Sequence, residues 1–368
     1  MTTLPSMTEF TGAQVVLPGS QPLSATINFF TQLGFNVRAI VPADDPAMAV
    51  LSGHGVTLRL DGNADVPPGH LRLLTADDTA RPPVTAPNGT VVEFAPANPP
   101  LALPPLDDRF VLTRMEGGDE AFHEGRAGMR YRDLIPGRLG GRFIASHILI
   151  PAGGPVGDYV HYHHVRFQMI YCYRGWVKVA YEDQGEPMTL TEGDCFLQPS
   201  TIRHQVLEAS DRMQVIEVGC PAVHETWGDP EMPLPTGALL PDRGYGADGH
   251  RFVYHRAADA PWAPWRVDGY EARDLGIGWA MDGVAGARVV RPMGTGVPIP
   301  VAARHAAEFV FTFVLDGGIT LQRGDDAPVR LGEGDSFTMP AHMDYVLSDP
   351  TLDLQLLDVT LPDAVPAA

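Results

Sequence analysis

EGDCFLQP, Glu192–Pro199, returns 141 positions later as EGDSFTMP, Glu333–Pro340. The same step links YRDL (Tyr131–Leu134) to ARDL (Ala272–Leu275), and Pro221 of EVGCPAV to Pro362 of DVTLPDA. A fourth pair of landmarks, YRG ending at Gly175 and LDG ending at Gly317, is displaced by 142. One near-constant spacing across four landmarks makes the segment from about 110 to 368 two copies of one unit. Within each copy, short alternating apolar runs are bounded by Gly and Pro. That is the pattern of antiparallel strands in a sandwich or barrel. The chain carries 39 Gly and 35 Pro in 368 residues, so turns are frequent enough for a mainly β fold.

Ahead of the repeat, residues 1–75 follow a different plan. AQVVL (Ala13–Leu17) is strand-like. Leu23, Ile27, Phe30 and Leu33 then recur at helical spacing, with Gly34 as a C-terminal stop. NVRAIV, MAVLS and VTLRL supply three further strands separated by DDP and GHG turns, giving the order βαβββ. Residues 76–109 are rich in Pro and Ala and predict a linker holding one strand, TVVEF.

Composition excludes several partners. The formal net charge is −19, and such a surface repels phosphate backbones and anionic lipid. No apolar run reaches the ~18 residues that span a bilayer. MTTLPSMTEF lacks the basic and apolar segments of a signal peptide. Cys172, Cys195 and Cys220 are odd in number and lie in apolar runs, which predicts reduced thiols and a cytoplasmic setting.

The chemistry concentrates in HYHHVRFQMIYCYRG, His161–Gly175. Strand alternation sets His161 and His163 on one face and His164 on the other. GDCFLQPSTIRH then brings a turn and His204. If the two segments are neighbouring strands, three imidazoles and the amide oxygen of Gln168 converge on one point. Neutral imidazole suits Zn, Cu, Fe and Ni alike, so spacing alone selects no metal. Cys172, four after Gln168, and Val206 are candidate pocket walls. Arg203 and Gln205 should point away from the metal, Arg142 and Tyr162 could reach the pocket mouth, and His147 reads as structural.

The spacing resembles the cupin superfamily. His161-x-His163, four residues, Gln168, six residues, Gly175 matches that family's first motif, with Gln168 at its acidic position. Gly193, five residues, Pro199, Thr201 and His204 match the second, with Thr201 in place of a glycine. The resemblance implies tandem double-stranded β-helix barrels, the first at 110–235 and the second at 236–368. It implies one divalent transition metal per chain on His161, His163, Gln168 and His204, with Fe2+ first and Zn, Mn, Ni or Cu as other choices. In the second copy the four ligand positions become Ala303, His305, Val310 and Tyr345, which predicts a metal-free structural barrel. Glutamine in place of an acid keeps the site's formal charge at +2 and removes the carboxylate that could serve as general base.

Residues 1–75 resemble one module of the glyoxalase/vicinal-oxygen-chelate superfamily. That family's ligand positions would fall on the first and last strands, where Gln14 and nothing metal-binding stand, and His54 sits in a turn. The unit is expected to be structural or to pair in a homodimer. Fused cupins with one barrel lacking ligands resemble ring-cleaving dioxygenases such as gentisate dioxygenase. The chain is therefore expected to be a non-haem iron dioxygenase for a small anionic or enolisable compound, aromatic ones included, with no catalytic side chain assigned. The alternatives are an oxygen-independent metal-dependent isomerase or lyase, and a non-catalytic small-molecule-binding cupin.

Overall fold

The computed structural model describes residues 11–77, 79–294 and 300–366; the MTTLPSMTEF stretch lies outside them. The chain divides into two compact units, Met1–Pro100 and Leu101–Ala368.

The first unit begins with β1 (Val15–Pro18), α1 (Leu23–Gln32), β2 (Asn36–Val41), β3 (Met48–Gly53) and β4 (Val56–Asp61), the order βαβββ. The sheet runs β1-β4-β3-β2, with β1 parallel to β4 and the other pairs antiparallel. Leu23, Ile27 and Phe30 of α1 pack with Leu51, Leu58 and Leu60 of the sheet. Gly34, at φ 91°, ends the helix as only a residue without Cβ does cheaply. Three more strands follow: β5 (His70–Thr75), β6 (Val84–Thr85) and β7 (Val91–Pro96), in the order β5-β7-β6. Leu73, Ala86 and Val92 join the same apolar cluster. The Pro-rich tract is therefore not a linker across 76–109. Its strands complete the first unit, because Val92 and Phe94 alternate apolar and need a surface to cover them.

The second unit opens with β8 (Val111–Thr113), β9 (His123–Glu124), β10 (Arg130–Asp133), β11 (Ile144–Ile150), β12 (Gly154–Pro155), β13 (His161–Tyr162) and β14 (Phe167–Arg174). It continues with β15 (Trp176–Tyr181), β16 (Met188–Thr191), β17 (Cys195–Leu197), β18 (His204–Ala209), β19 (Met213–Cys220) and β20 (Trp227–Gly228). One sheet of the first barrel contains β17-β14-β19-β11-β10-β9. The other runs β16-β15-β18-β13-β20, with β12 also on β18. Gly286–Pro292, Gln355–Leu361, Phe309–Asp316 and Ser336–Thr338 repeat the first arrangement. Even the irregularity repeats: the register shifts between Cys172 and Arg174, and again between Val314 and Asp316.

β14 is buried on both faces. Phe167, Met169, Tyr171 and Tyr173 meet Phe309, Phe311 and Phe313 in a cluster shared by the two barrels. Cys172 and Ile170 face a separate cluster inside the first barrel. At the shared cluster Phe143 stacks on Phe309, with ring centroids 4.0 Å apart and 16° between planes. The barrels also exchange strands. β8 pairs with Ser336–Thr338 of the second barrel, and Val253–His255 pairs with β17 of the first.

Phe309→Ala should cost about 3–5 kcal/mol of unfolding free energy. Leu352→Ala, at an exposed site, should stay within about 0.5 kcal/mol. Urea denaturation followed by near-UV circular dichroism checks both.

Candidate metal centre

β13 and β18 are antiparallel neighbours, and His161 and His204 are direct partners in their register. His163 lies just past the end of β13, where its carbonyl accepts the N–H of Thr201 at 2.8 Å. The rings are close: centroids of His161 and His204 are 4.2 Å apart, and those of His163 and His204 5.5 Å apart. One ring nitrogen from each of the three falls within 4.8 Å of the others. All three side chains are buried.

Hydrogen bonding fixes the tautomers. Carbonyl oxygens only accept, so a ring nitrogen facing one carries the proton. Nδ1 of His161 donates to Tyr159 O at 2.7 Å, Nδ1 of His163 to Glu225 O at 3.1 Å, and Nδ1 of His204 to Ile202 O at 3.1 Å. Burial lowers all three rings from the ordinary histidine range and so favours their neutral form, His204 well below that range and His163 at about 3. Each Nε2 is then a lone pair, and the three lone pairs share one end of a cavity. Three acceptors brought together without protons of their own match a cation, and the donor set fits a divalent transition metal.

Gln168 lines the same cavity. Its Nε2 donates to Oε1 of Glu217 at 2.6 Å, which leaves the amide oxygen as its free group. The carboxylate that the first motif lacks thus stands beside the glutamine, delivered by β19. Glu217 also faces the cavity, so a base-capable carboxylate stands beside the glutamine that cannot itself serve as one. Arg126 is the second charged residue there. Its Nη2 donates to Nε2 of His161 at 3.0 Å, and its Nη1 pairs with Asp158. Asp158 has no exposed side-chain surface and also accepts the N–H of Val206 at 3.0 Å. Most of the remaining wall is apolar, including Ile148, Ile150, Val177, Val179 and Leu190, while Gln198, which donates to the Tyr181 hydroxyl at 2.8 Å, and Tyr131 add polar groups. The empty space between these walls, with the open mouth included, is about 660 Å³.

Other sequence candidates fall elsewhere. Val206 lines the cavity, but Cys172 does not. Cys172 shares the face of Gln168, yet the register shift beyond it turns its Sγ toward the Gly175 carbonyl at 3.4 Å. Burial pushes its thiol up to about 12. His164 packs edge-on against Tyr162 and Trp227, outside the cluster. Arg142 is held by Glu308 at 2.6 Å, and Tyr162 lies under the guanidinium of Arg203, so neither reaches the cavity. Gln205 donates to the Asp158 carbonyl at 2.9 Å.

Arg126 carried no periodic signal, because it sits in a loop turn. Glu217 did carry one. It opens EVGCPAV, and Asp358 opens the matching DVTLPDA: an acid at one position of an otherwise apolar strand in both copies.

In the second barrel the corresponding polar groups are committed within the chain. Asp358 accepts both Nη1 and Nη2 of Arg266, at 2.6 and 3.0 Å. Both ring nitrogens of His305 are committed to backbone, to Met339 O at 3.1 Å and to the N–H of Ala307 at 3.2 Å.

Residues 146–219 match a family model described as Cupin domain. No curated protein matches the chain by sequence. Among solved structures, the chain is similar to a putative glyoxylate-induced protein from Pseudomonas aeruginosa, with 13% identity over 72% of this chain and 94% of that one, TM-score 0.51. It is similar to salicylate 1,2-dioxygenase from Pseudaminobacter salicylatoxidans, with 14% identity over 70% and 85%, TM-score 0.51. It is also similar to the protein Ylba from E. coli, with 12% identity over 70% and 92%, TM-score 0.50. At these identities the likeness is one of fold. The glyoxalase-like resemblance of the first unit rests on its element order alone.

His147, outside the site, supplies a pH handle. Nη2 of Arg132 donates to its Nδ1 at 3.2 Å, and its Nε2 donates to Gln214 at 2.7 Å. Burial, then the charge of Arg132, lower its pKa to about 3. The unfolded chain binds this proton at about pH 6.5 and the folded chain does not. The stabilisation is therefore full above pH ~6.5 and fades as pH falls toward 3. His147→Gln should lose stability less steeply than the parent between about pH 7 and 4 in urea denaturation.

Proposed function

We propose that this chain, a pair of cupin barrels behind a βαβββ unit, is a metal-dependent enzyme of the non-haem iron dioxygenase class. Its substrate would be a small anionic or enolisable compound, aromatic ones included. One observation carries the reading: three buried imidazoles have their Nδ1–H groups tied to backbone carbonyls, so that three Nε2 lone pairs meet in a largely apolar cavity.

His161, His163 and His204 would hold the metal, with the free amide oxygen of Gln168 as a fourth ligand. Bound iron(II) would supply Lewis acidity and a redox partner for dioxygen. The protein's own residues do the rest. The backbone carbonyls at Tyr159, Glu225 and Ile202 aim the rings and keep their protons off Nε2. The aliphatic wall excludes water and so strengthens every charge interaction in the cavity. Glu217, steadied by Gln168, offers a carboxylate oxygen that can hold a proton taken from a substrate. The presence of salicylate 1,2-dioxygenase among the similar folds agrees with this chemistry.

Glu217 also favours a second reading, an oxygen-independent isomerase or lyase in which the metal acts only as a Lewis acid and the carboxylate moves the proton.

The two readings separate on metal identity and oxygen consumption. Protein purified without added metal should carry about one iron per chain. An oxygen electrode should register uptake with members of a panel of hydroxybenzoates and 1,3-dicarbonyl acids. His161→Ala and His204→Ala should lose both metal and uptake, by at least about 100-fold in rate. Redox-inert zinc as the native metal, with no oxygen uptake, would overturn the dioxygenase reading in favour of the second.

A further inference from the structure

We propose that the cavity of the first barrel is built for a monocarboxylate with an apolar body: Arg126 grips the carboxylate beside the metal, and the body lies on the aliphatic wall. This rests on the reading that the three histidines hold a metal.

Arg126 is positioned from behind. Asp158 pairs with its Nη1, and the same carboxylate is fixed by the Val206 N–H at 3.0 Å. The arginine's forward contact, from Nη2 to Nε2 of His161 at 3.0 Å, uses the lone pair that a metal would take. Once that lone pair is given to a cation, the Nη2 donor needs another acceptor in the cavity. A ligand oxygen is the acceptor that completes it, and the planar fork of a guanidinium matches a carboxylate.

The second barrel shows this pairing made within the chain. There Arg266 holds the carboxylate of Asp358 through both Nη atoms, at 2.6 and 3.0 Å. Asp358 stands 141 positions after Glu217, and Arg266 stands 140 after Arg126, one position off the repeat step. In the first barrel the matching acid is drawn away, because Glu217 accepts from Gln168 at 2.6 Å. Arg126, held through Nη1 by Asp158, keeps Nη2 turned to the cavity for a carboxylate from outside.

Charge selects one carboxylate rather than two. Asp158 offsets Arg126, and Glu217 offsets one charge of a divalent ion held by neutral imidazoles. One formal positive charge remains for the ligand to cancel. Away from the histidines, Ile148, Ile150, Val177, Val179 and Leu190 give the cavity an aliphatic wall, and its further polar side chains are engaged within the wall, Gln198 donating to Tyr181 at 2.8 Å and Tyr131 to Met129 Sδ at 3.7 Å. That wall holds no cation to pair with a second carboxylate, whereas an apolar body would be covered.

The test titrates the holoprotein calorimetrically with benzoate, its neutral isostere benzamide, and the dianion phthalate, with metal content measured on the same samples. Benzoate should bind at least about tenfold more tightly than either of the others. Arg126→Gln should weaken benzoate by at least about tenfold while leaving metal content and benzamide binding unchanged. Arg126→Lys keeps a charge against Asp158 but loses the fork, so it should fold like the parent and still bind benzoate more weakly. Benzoate binding that is no tighter than benzamide, or is unchanged in both variants with metal present, overturns the carboxylate site and leaves the metal centre standing. A parent protein that binds no metal at all overturns the reading beneath it.

Discussion

A strand with both faces buried has no free side, and β14 is such a strand. Its odd residues, Phe167 to Tyr173, belong to the cluster between the barrels, and its even residues Gln168 and Ile170 face the cavity. β19 beside it works the same way: Ile216 and Val218 join the shared cluster while Val215 and Glu217 line the cavity. Because side chains alternate with a period of two, a slip of one residue would drive the Gln168 amide and the Glu217 carboxylate among phenylalanines. The cost of burying those groups without partners locks the register. The packing between the barrels and the chemistry inside the first one are therefore set by a single choice of register.

That register places two kinds of polar group where the surroundings are apolar. The histidines are neutral, and their protons are handed to backbone carbonyls, so they present lone pairs only. The charged residues come in from the edges: Arg126 braced by Asp158, and Glu217 braced by Gln168. The second barrel resolves the same problem by closing it. There an arginine and an aspartate satisfy each other, and a histidine spends both nitrogens on the backbone. The two copies thus bury similar polar groups in different ways: one commits its arginine to an acid of the same barrel wall, the other aims its arginine and three imidazoles into a cavity.

Much of this was legible in the sequence where it is local or repeated. The spacing of EGDCFLQP and EGDSFTMP reveals the tandem, and the alternation of His161 and His163 reveals a shared face. Pairing between distant segments was harder to see. That His204 would sit directly opposite His161 follows from the ladder between β13 and β18, which the motif spacing implied without proving. Arg126 comes from an irregular turn with no period to betray it. Glu217 was visible as one of two matching acids in the repeat, yet one acid in an apolar strand does not say which face of the strand it occupies. The Pro-rich tract misled for a related reason: composition suggested a linker, while the alternation of Val92 and Phe94 demanded a core. Cys172 obeyed the alternation but was turned off the cavity by a register shift that no residue pattern announces.

The exchanged strands have a consequence for descent. β8 precedes the first barrel in the chain but finishes a sheet of the second, and Val253–His255 follows the first barrel but finishes a sheet of that first one. No single cut along the chain releases a barrel with all of its strands. A duplicated copy that has given up its ligands is usually expendable, and a deletion can discard it. Here each copy holds an edge strand of the other, so a deletion that removed either would unmake both. The exchange ties the persistence of the second barrel to the folding of the first, whatever side chains line its interior.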